Sequence, residues 1–263
     1  MRTAFLLAAI FASSGSAFAA DAVAPTPDLD LEHPGYTYQT CLQLTRKQPE
    51  KAFEMAGKWV GLGGGEPAKH CQALALVGIG EYGEGATRLE VLAQTSKQAA
   101  GVRANMLAQA GQAWVMQDDP TRAYAAQSAA LKVIPQGTKQ HVEILMDRAG
   151  TLADAGKFDE AIDDLDAALK IDSTNAEAWA FRASAYRTKG DIERALKDAE
   201  RAVAAGPNNV SALLERGNLY RMEKRLAEAR KDWLRILELD PDSPAADAAR
   251  TNIERMDVDT RKR

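Results

Sequence analysis

The two cysteines, Cys41 and Cys71, have the most distinctive chemistry in this sequence. In an exported chain an even number of cysteines fits one disulfide bond, because such chains meet an oxidising compartment. Two alternatives remain open: a pair of free thiols, and a redox-active or metal-binding pair. Catalytic thiol pairs usually occur as Cys-x-x-Cys, whereas these cysteines are 30 residues apart. The spacing therefore favours a structural disulfide.

The histidines and the glycine-rich stretch do not form a recognisable site. His70 precedes Cys71, but adjacent residues point to different faces of a helix, and no second pair has the spacing of metal ligands. Residues 61–67, GLGGGEP, lack the third glycine of a dinucleotide-binding loop and the Gly-Lys-Ser/Thr of a phosphate-binding loop. We expect His33 in a flexible leader and His141 in a loop between repeats. The sequence thus predicts no metal, no cofactor and no catalytic residue.

The first 19 residues have the pattern of a cleavable signal peptide. Arg2 is basic, residues 4–12 are apolar, and residues 17–19, AFA, match a small-x-small cleavage signal. This apolar run is too short for a hydrocarbon core about 30 Å thick, and no later run is long enough for a transmembrane helix. No cysteine stands at the cleavage point to carry a lipid anchor. The sequence predicts a periplasmic or secreted protein, with a retained, uncleaved anchor as the alternative.

Amino-acid composition predicts whether residues 20–35 are ordered, and the charge of the chain limits the kind of partner. Residues 20–35, ADAVAPTPDLDLEHPG, combine prolines with acidic and small residues, so they cannot bury enough apolar surface to offset the entropy of ordering. We expect a flexible leader there.

The chain has a net charge of −4, and its one basic cluster is at residues 261–263. Nucleic-acid binding requires a clustered basic excess, so we expect no nucleic acid partner.

From Tyr36 onward the composition favours helices, and a period of 34 residues relates them. Identical residues recur at this spacing at Asn175 and Asn209, Tyr186 and Tyr220, Ala195 and Ala229, and Pro207 and Pro241. One unit contains Trp179, Arg182-Ala183, Tyr186, Ala195 and Pro207; the next contains Leu213, Arg216-Gly217, Tyr220, Ala229, Trp233 and Pro241. This pattern resembles the tetratricopeptide repeat, in which each unit is a pair of antiparallel helices.

The resemblance implies an all-α, right-handed α-solenoid of stacked helix-turn-helix hairpins. The repeat array is expected at 66–243, in units 66–99, 104–137, 142–175, 176–209 and 210–243. A divergent hairpin at 36–65 precedes the array. Ser243 and Pro244 have the residue types of a helix start, so a capping helix and tail are expected at 244–263. Cys41 and Cys71 would then lie on the first helices of adjacent hairpins, where a bridge is geometrically feasible.

Arginine occupies the seventh position of three successive units, and aspartate follows each arginine by 16 residues. The pairs are Arg148 and Asp164, Arg182 and Asp198, and Arg216 and Asp232. Because the arginine lies in the first helix and the aspartate in the second, we predict structural ion pairs between packed helices. The alternative is a row of ligand-binding arginines.

In this family, the first helices form an inner, concave wall that commonly holds a peptide or a partner helix. Carried over unit by unit, the groove positions are Asn105, Gln112, Met116, Glu143, Met146, Asp154, Glu177, Ser184, Arg187, Leu214, Asn218, Arg221 and Met222. The subset predicted to bind a partner is Met146, Ser184, Arg187, Leu214, Asn218, Arg221 and Met222. Methionines provide adaptable apolar contacts, and arginines can bind a carboxylate.

These residues lead to two hypotheses of different classes. The first is a non-enzymatic protein–protein interaction scaffold of the cell envelope, a monomer or weak homo-oligomer that binds a protein or peptide partner. The second is a thiol- or cofactor-handling maturation factor in which Cys41 and Cys71 change redox state. The lysine and asparagine pattern that clamps chaperone C-termini in some members is absent apart from Asn218. The groove residues are alternatively ordinary solvated residues of an uninvolved wall.

Overall fold

A computed structural model describes residue 30 and residues 33–261 of the chain. Within this part, all regular secondary structure is α-helical. The helices are α1 (Pro34–Lys47), α2 (Pro49–Gly61), α3 (Gly65–Ile79), α4 (Tyr82–Thr95), α5 (Ala100–Met116), α6 (Pro120–Val133), α7 (Lys139–Asp154), α8 (Phe158–Ile171), α9 (Ala176–Thr188), α10 (Ile192–Ala205), α11 (Val210–Met222), α12 (Leu226–Leu239) and α13 (Pro244–Arg261). The predicted all-α solenoid of helical hairpins is confirmed.

The predicted signal peptide, residues 1–19, lies outside the described residues, as does most of the predicted leader. Helix α1 begins at Pro34, so it includes the last two residues of the expected leader. His33 therefore stands at the start of a helix, where its Nδ1 lies 3.0 Å from Oδ2 of Asp30. Proline at the first helical position fits this start, because its missing N–H has no intrahelical partner there.

The described chain divides into two compact units. The N-terminal unit ends at Thr151 and the C-terminal unit begins at Leu152, so the division falls inside α7. Each expected repeat contains two helices, joined by a short turn. We refer below to the N-terminal unit, residues 33–151, and the C-terminal unit, residues 152–261.

In the N-terminal unit, small residues allow close helix crossings and large ones fill the space between hairpins. One cluster joins Ala73, Ala86, Leu89, Ala110, Ala113, Trp114, Ala123 and Ala126. The indole Nε1 of Trp114 donates to Oε1 of Glu90 at 2.9 Å, and the guanidinium of Arg122 lies 4.6 Å from the Trp114 ring centroid. The polar atom of this large side chain is therefore satisfied at the edge of the core.

In the C-terminal unit, the core is built around Trp233, whose side chain is fully buried. Helix α11 passes close to this ring at Gly217. A Cβ atom at position 217 would lie 2.6 Å from Nε1 of Trp233. Glycine is thus required here by the close approach of α11 and α12, which agrees with its place in the repeat pattern.

One residue lies in a different element from the one expected. His141 was expected in a loop between repeats, but α7 begins at Lys139 and places it in the first helical turn. The Oγ1 atom of Thr138 accepts a hydrogen bond from the backbone N–H of His141 at 3.1 Å. Thr138 thereby caps the helix, and this cap starts α7 three residues before the expected unit boundary at 142.

Candidate functional site

Arg182, the seventh residue of its repeat, lies on α9 where this helix packs against α10. Arg182 donates from Nε to Oδ2 of Asp198 at 2.7 Å and from Nη2 to Oδ1 of Asp198 at 3.0 Å. Its Nη1 donates to Oδ1 of Asp166 at 2.5 Å. Burial acts to lower the pKa of Arg182, but the two aspartates raise that pKa above its ordinary value. The structure thus brings Arg182 and Asp198 together and adds Asp166, which the repeat spacing did not indicate.

The next repeat has the same bidentate arrangement. Arg216 donates from Nε to Oδ2 of Asp232 at 2.8 Å and from Nη2 to Oδ1 at 2.7 Å. In the N-terminal unit, Arg148 donates from Nη1 to Oγ of Ser128 at 3.0 Å. The pairing of Arg148 with Asp164 stays a prediction. In α9 and α11, the seventh-position arginines are therefore held by internal carboxylates and do not form a free ligand-binding row.

The surface formed by α9, α11 and α13, which we call the first-helix face, holds most of the residues predicted to bind a partner. Arg187 donates to Glu215 from Nε, at 2.5 Å from Oε1, and from Nη2, at 3.3 Å from Oε2. Its Nη2 also lies 3.2 Å from Oγ of Ser184. Arg187 and Ser184 are therefore hydrogen-bonded within the protein, and their role in partner binding stays a prediction.

Glu215 is the residue of this face that the sequence did not reveal. It is 6 % exposed and lies 28 residues after Arg187, a separation that matches no repeat position. Desolvation raises the pKa of Glu215, although the charge of Arg187 and its hydrogen bond act to lower that pKa. A buried carboxylate requires a partner of opposite charge, and Arg187 is that partner.

Helix α13 continues the repeat register beyond the last complete unit. The Nδ2 atom of Asn252 donates to Oδ1 of Asn218 at 2.9 Å, and these two residues are 34 apart in the sequence. The same spacing relates Arg221 to Arg255. The C-terminal helix therefore occupies the place of a first helix, and it adds residues to the face that were assigned only a capping role.

The other predicted partner-binding residues differ in exposure. Met146 in the N-terminal unit is buried, at 9 % exposure, whereas Leu214 is half-buried. Arg221 is exposed, and Met222 is 45 % exposed. Arg221, Glu254, Arg255 and Val258 line a cavity of about 470 Å³. The end of the first-helix face thus has both cationic and apolar atoms open to solvent.

His70 lies at the centre of a polar network in the N-terminal unit. Its Nδ1 is 2.5 Å from the hydroxyl oxygen of Tyr38, and its Nε2 is 2.7 Å from Oε1 of Gln109. Desolvation lowers the pKa of His70, while the hydrogen bond with Gln109 acts to raise it. The neutral imidazole thus connects α1, α3 and α5. Sequence reasoning missed this network because its partners are 32 and 39 residues away.

Cys41 and Cys71 lie beside this network. Both side chains are fully buried, their Sγ atoms are within bonding distance, and their Cα atoms are 6.1 Å apart. Met55 and Ala56 pack around them. The arrangement closes α1 onto α3 and leaves neither sulfur accessible to a partner protein.

In the described part of the chain, no three His, Cys, Asp or Glu side chains are grouped so that they could hold a metal ion. None of the helices in residues 33–261 is long and apolar enough to cross a membrane. The polar networks described above are ion pairs and hydrogen bonds between helices.

Comparison with known families finds a match to the tetratricopeptide repeat. It covers residues 117–176, 146–210 and 182–244, which together extend from 117 to 244. No curated protein matches the chain in sequence. The sequence relationship is therefore carried by the repeats from α6 to α12.

Several solved structures have a similar fold. The pilF protein of Pseudomonas aeruginosa aligns with a TM-score of 0.63 and 14 % identity over 84 % of this chain and 98 % of its own. BtubC from P. vanneervenii aligns with a TM-score of 0.58 and 16 % identity, over 81 % of this chain and 91 % of its own. YrrB, described as a TPR protein with an unusual peptide-binding site, has a TM-score of 0.52 and 20 % identity, over 67 % of this chain and 88 % of its own. At these identities the likeness concerns the fold.

Proposed function

Because this chain belongs to the tetratricopeptide repeat family, we propose that it is a non-enzymatic protein–protein interaction scaffold that holds a peptide or protein partner on its first-helix face. Repeat proteins of this kind present extended surfaces on which a few side chains determine specificity. The observation that carries the proposal is the exposed end of this face. There Arg221 is exposed and lines a cavity of about 470 Å³, and the next residue in the chain, Met222, is 45 % exposed.

The residues at this end have the chemistry of a peptide-binding surface. A methionine side chain adapts its shape to different apolar partners, and an exposed guanidinium can form paired hydrogen bonds with a carboxylate. YrrB, which shares the fold, is described as having a peptide-binding site. This description supports peptide binding as the type of activity and does not indicate which residues perform it.

We also propose that the protein acts in the cell envelope, in the periplasm or as a secreted protein. The signal-like pattern of residues 1–19 supports export. The close approach of Cys41 and Cys71 supports a disulfide bond, which would persist in an oxidising compartment. Mass spectrometry of the protein isolated from its native cells tests both points. A start at residue 20 and a mass lower than that of the dithiol by two hydrogen atoms are expected; an intact residue 1 or free thiols would contradict the proposal.

A thiol-handling role is less well supported. A working thiol pair must be reached by its substrate, whereas both cysteine side chains here are fully buried. No observation favours this alternative over a structural bridge.

The partner-binding proposal is tested by capture from envelope extracts. The chain from residue 20 onward serves as bait beside a Met222→Asp variant, which places a charge on the first-helix face. The matched control is Leu234→Asp, since Leu234 is 44 % exposed and lies on the second helix α12. We expect a partner that the parent and the control retain and that Met222→Asp loses. Equal recovery by all three proteins would reject the first-helix face.

A further inference from the structure

We infer that Arg221 and Arg255 form a two-cation clamp for an extended acidic peptide segment. This inference rests on the proposed function and names the chemical class of the partner. The two residues lie 34 apart, at the same position of α11 and of α13. Helices α11 and α13 pack against each other, so the two guanidinium groups belong to neighbouring first helices.

Arginines elsewhere in the C-terminal unit are engaged with acids. Every arginine from residue 152 onward whose side chain is described, apart from Arg221 and Arg255, lies within 4.0 Å of a carboxylate oxygen. These arginines are Arg182, Arg187, Arg194, Arg201, Arg216, Arg225, Arg230, Arg235 and Arg250. The two exceptions share a repeat position and line the same cavity. The guanidinium groups of Arg221 and Arg255 are therefore both available to bind a ligand in this cavity.

The preceding member of this row explains why the clamp lies at the end of the face. Arg187 is 34 residues before Arg221, but its guanidinium is neutralised by the buried Glu215. The equivalent of Glu215 one repeat later is Ala249, which is fully buried and uncharged. Arg221 consequently has no internal acid at the corresponding place, and its side chain remains exposed.

The cavity has the charge and the apolar surface that an acidic peptide requires. Its lining contains two arginines, one glutamate and one valine, so the charged groups sum to +1. Glu254 is the one acidic residue of this lining. Val258 is 48 % exposed and supplies apolar surface.

An extended peptide matches the separation of the two helices. Packed helices lie about 8–10 Å apart, and side chains on one side of an extended strand repeat every two residues, or about 7 Å. The arginine side chains are long enough to span the difference between the helix separation and the side-chain repeat of the peptide. Acidic residues at positions i and i+2 can thus each bind one guanidinium, while an apolar residue at i+4 packs on Val258.

Fluorescence anisotropy with a defined probe tests the clamp. The probe is a labelled, C-terminally amidated peptide, Gly-Ser-Glu-Thr-Glu-Ser-Leu-Ser-Gly, and its control has glutamine at both glutamate positions. We expect the Glu probe to bind the intact chain, and Arg221→Gln and Arg255→Gln to weaken binding by about tenfold each, the usual size of a charge-assisted hydrogen bond. Lys231→Gln on α12, an exposed lysine outside the cavity that the two arginines line, is the matched control and should leave binding unchanged. Circular dichroism melts show that each variant is folded.

Three results would overturn the clamp: no binding of the Glu probe, equal binding of the Glu and Gln probes, or equal losses in the arginine variants and Lys231→Gln. Displacement of the probe by inorganic phosphate at the same concentration would assign the site to small anions and overturn it as well. The scaffold proposal is separable. If the captured partner is lost by Met222→Asp but retained by Arg221→Gln and Arg255→Gln, the scaffold stands and the clamp falls.

Discussion

Single residues in this protein acquire their roles from the charge that lies opposite them. Arg182, Arg187 and Arg221 all lie on first helices, yet only Arg221 is free of a carboxylate partner among the described residues. Buried or half-buried charges must be paired, because the desolvation cost of an isolated ion exceeds the other interactions that it can make. The same residue type is therefore structural in one repeat and available for binding in the next.

Arg182→Ala is expected to destabilise the protein strongly. The change removes the bidentate partner of Asp198, which is 3 % exposed, and leaves only the guanidinium of Arg201, 3.8 Å away. Removing one partner of a buried ion pair costs about 3–5 kcal/mol. Urea unfolding followed by circular dichroism measures the loss. Arg194→Ala is the control: Arg194 pairs with Asp191 at the exposed start of α10, and its loss should cost much less. Equal stability of Arg182→Ala and the parent would show that this pair does not hold the repeat together.

His70 is expected to make stability depend on pH. Its pKa is lowered in the folded protein from an ordinary value of 6.5, so the unfolded chain binds the proton more readily. The stabilisation is therefore complete above pH 6.5 and is lost as the pH falls from there through the folded pKa.

Urea midpoints at pH 7.5 and pH 5 measure this dependence. His70→Gln should show a smaller loss between the two pH values than the parent does. His33→Gln is the control, because the His33 side chain is 73 % exposed, and it should behave as the parent. If His70→Gln and the parent lost equal stability, the imidazole network would not be the source of the pH dependence.

The turns between the two helices of a hairpin differ in the residue that occupies their left-handed position. Gly156 and Gly190 end first helices with φ values of +76° and +85°, and Lys224 occupies the same repeat position with φ of +62°. This left-handed conformation is costly for a residue with a Cβ atom, whereas glycine adopts it freely. Lys224 is therefore a local departure from the pattern of the two preceding repeats.

Lys224→Gly should stabilise the C-terminal unit. The left-handed conformation costs a non-glycine residue about 1–2 kcal/mol, and part of this gain is offset by the greater freedom of glycine in the unfolded chain. We expect a net gain of up to about 1 kcal/mol in urea unfolding. The contrasting change is Lys197→Gly inside α10, which should destabilise by about 1 kcal/mol. A loss of stability in Lys224→Gly would mean that the lysine side chain contributes more than the turn conformation costs.

For the molecule as a whole, the two compact units are stabilised in different ways. Within the C-terminal unit, carboxylate–arginine pairs recur between packed helices. Within the N-terminal unit, the cysteine pair and the His70 network join α1, α3 and α5. Each hairpin buries its apolar face against its neighbours, so a local change should act mainly on the unit that contains it.

Cys41→Ser with Cys71→Ser is expected to destabilise the N-terminal unit specifically. A disulfide that closes a 30-residue loop contributes about 3.6 kcal/mol in the chain-entropy model. Hydrogen exchange measured by mass spectrometry should show faster exchange in α1 to α4 and little change in α10 to α12. Uniform acceleration over both units would contradict local action, and unchanged exchange would show that the bridge adds no stability.

The sequence by itself determined the features that recur at a fixed spacing. The 34-residue period predicted the helical hairpins, and the offset of 16 residues placed Arg182 opposite Asp198 and Arg216 opposite Asp232. These predictions succeed because adjacent helices of a hairpin pack in the same way in every repeat. Local chemistry, such as a residue suited to capping a helix, also reads directly from the sequence.

Only the tertiary structure decided which polar side chains are paired within the protein and which remain available to bind a partner. Arg187 meets Glu215 across 28 residues, and His70 meets Tyr38 and Gln109 across 32 and 39 residues. None of these distances is a repeat spacing, because each contact depends on how helices of different hairpins lie against one another. A sequence pattern reports residues that recur, whereas the pairing that neutralises Arg187 and leaves Arg221 and Arg255 open is a property of the packed helices.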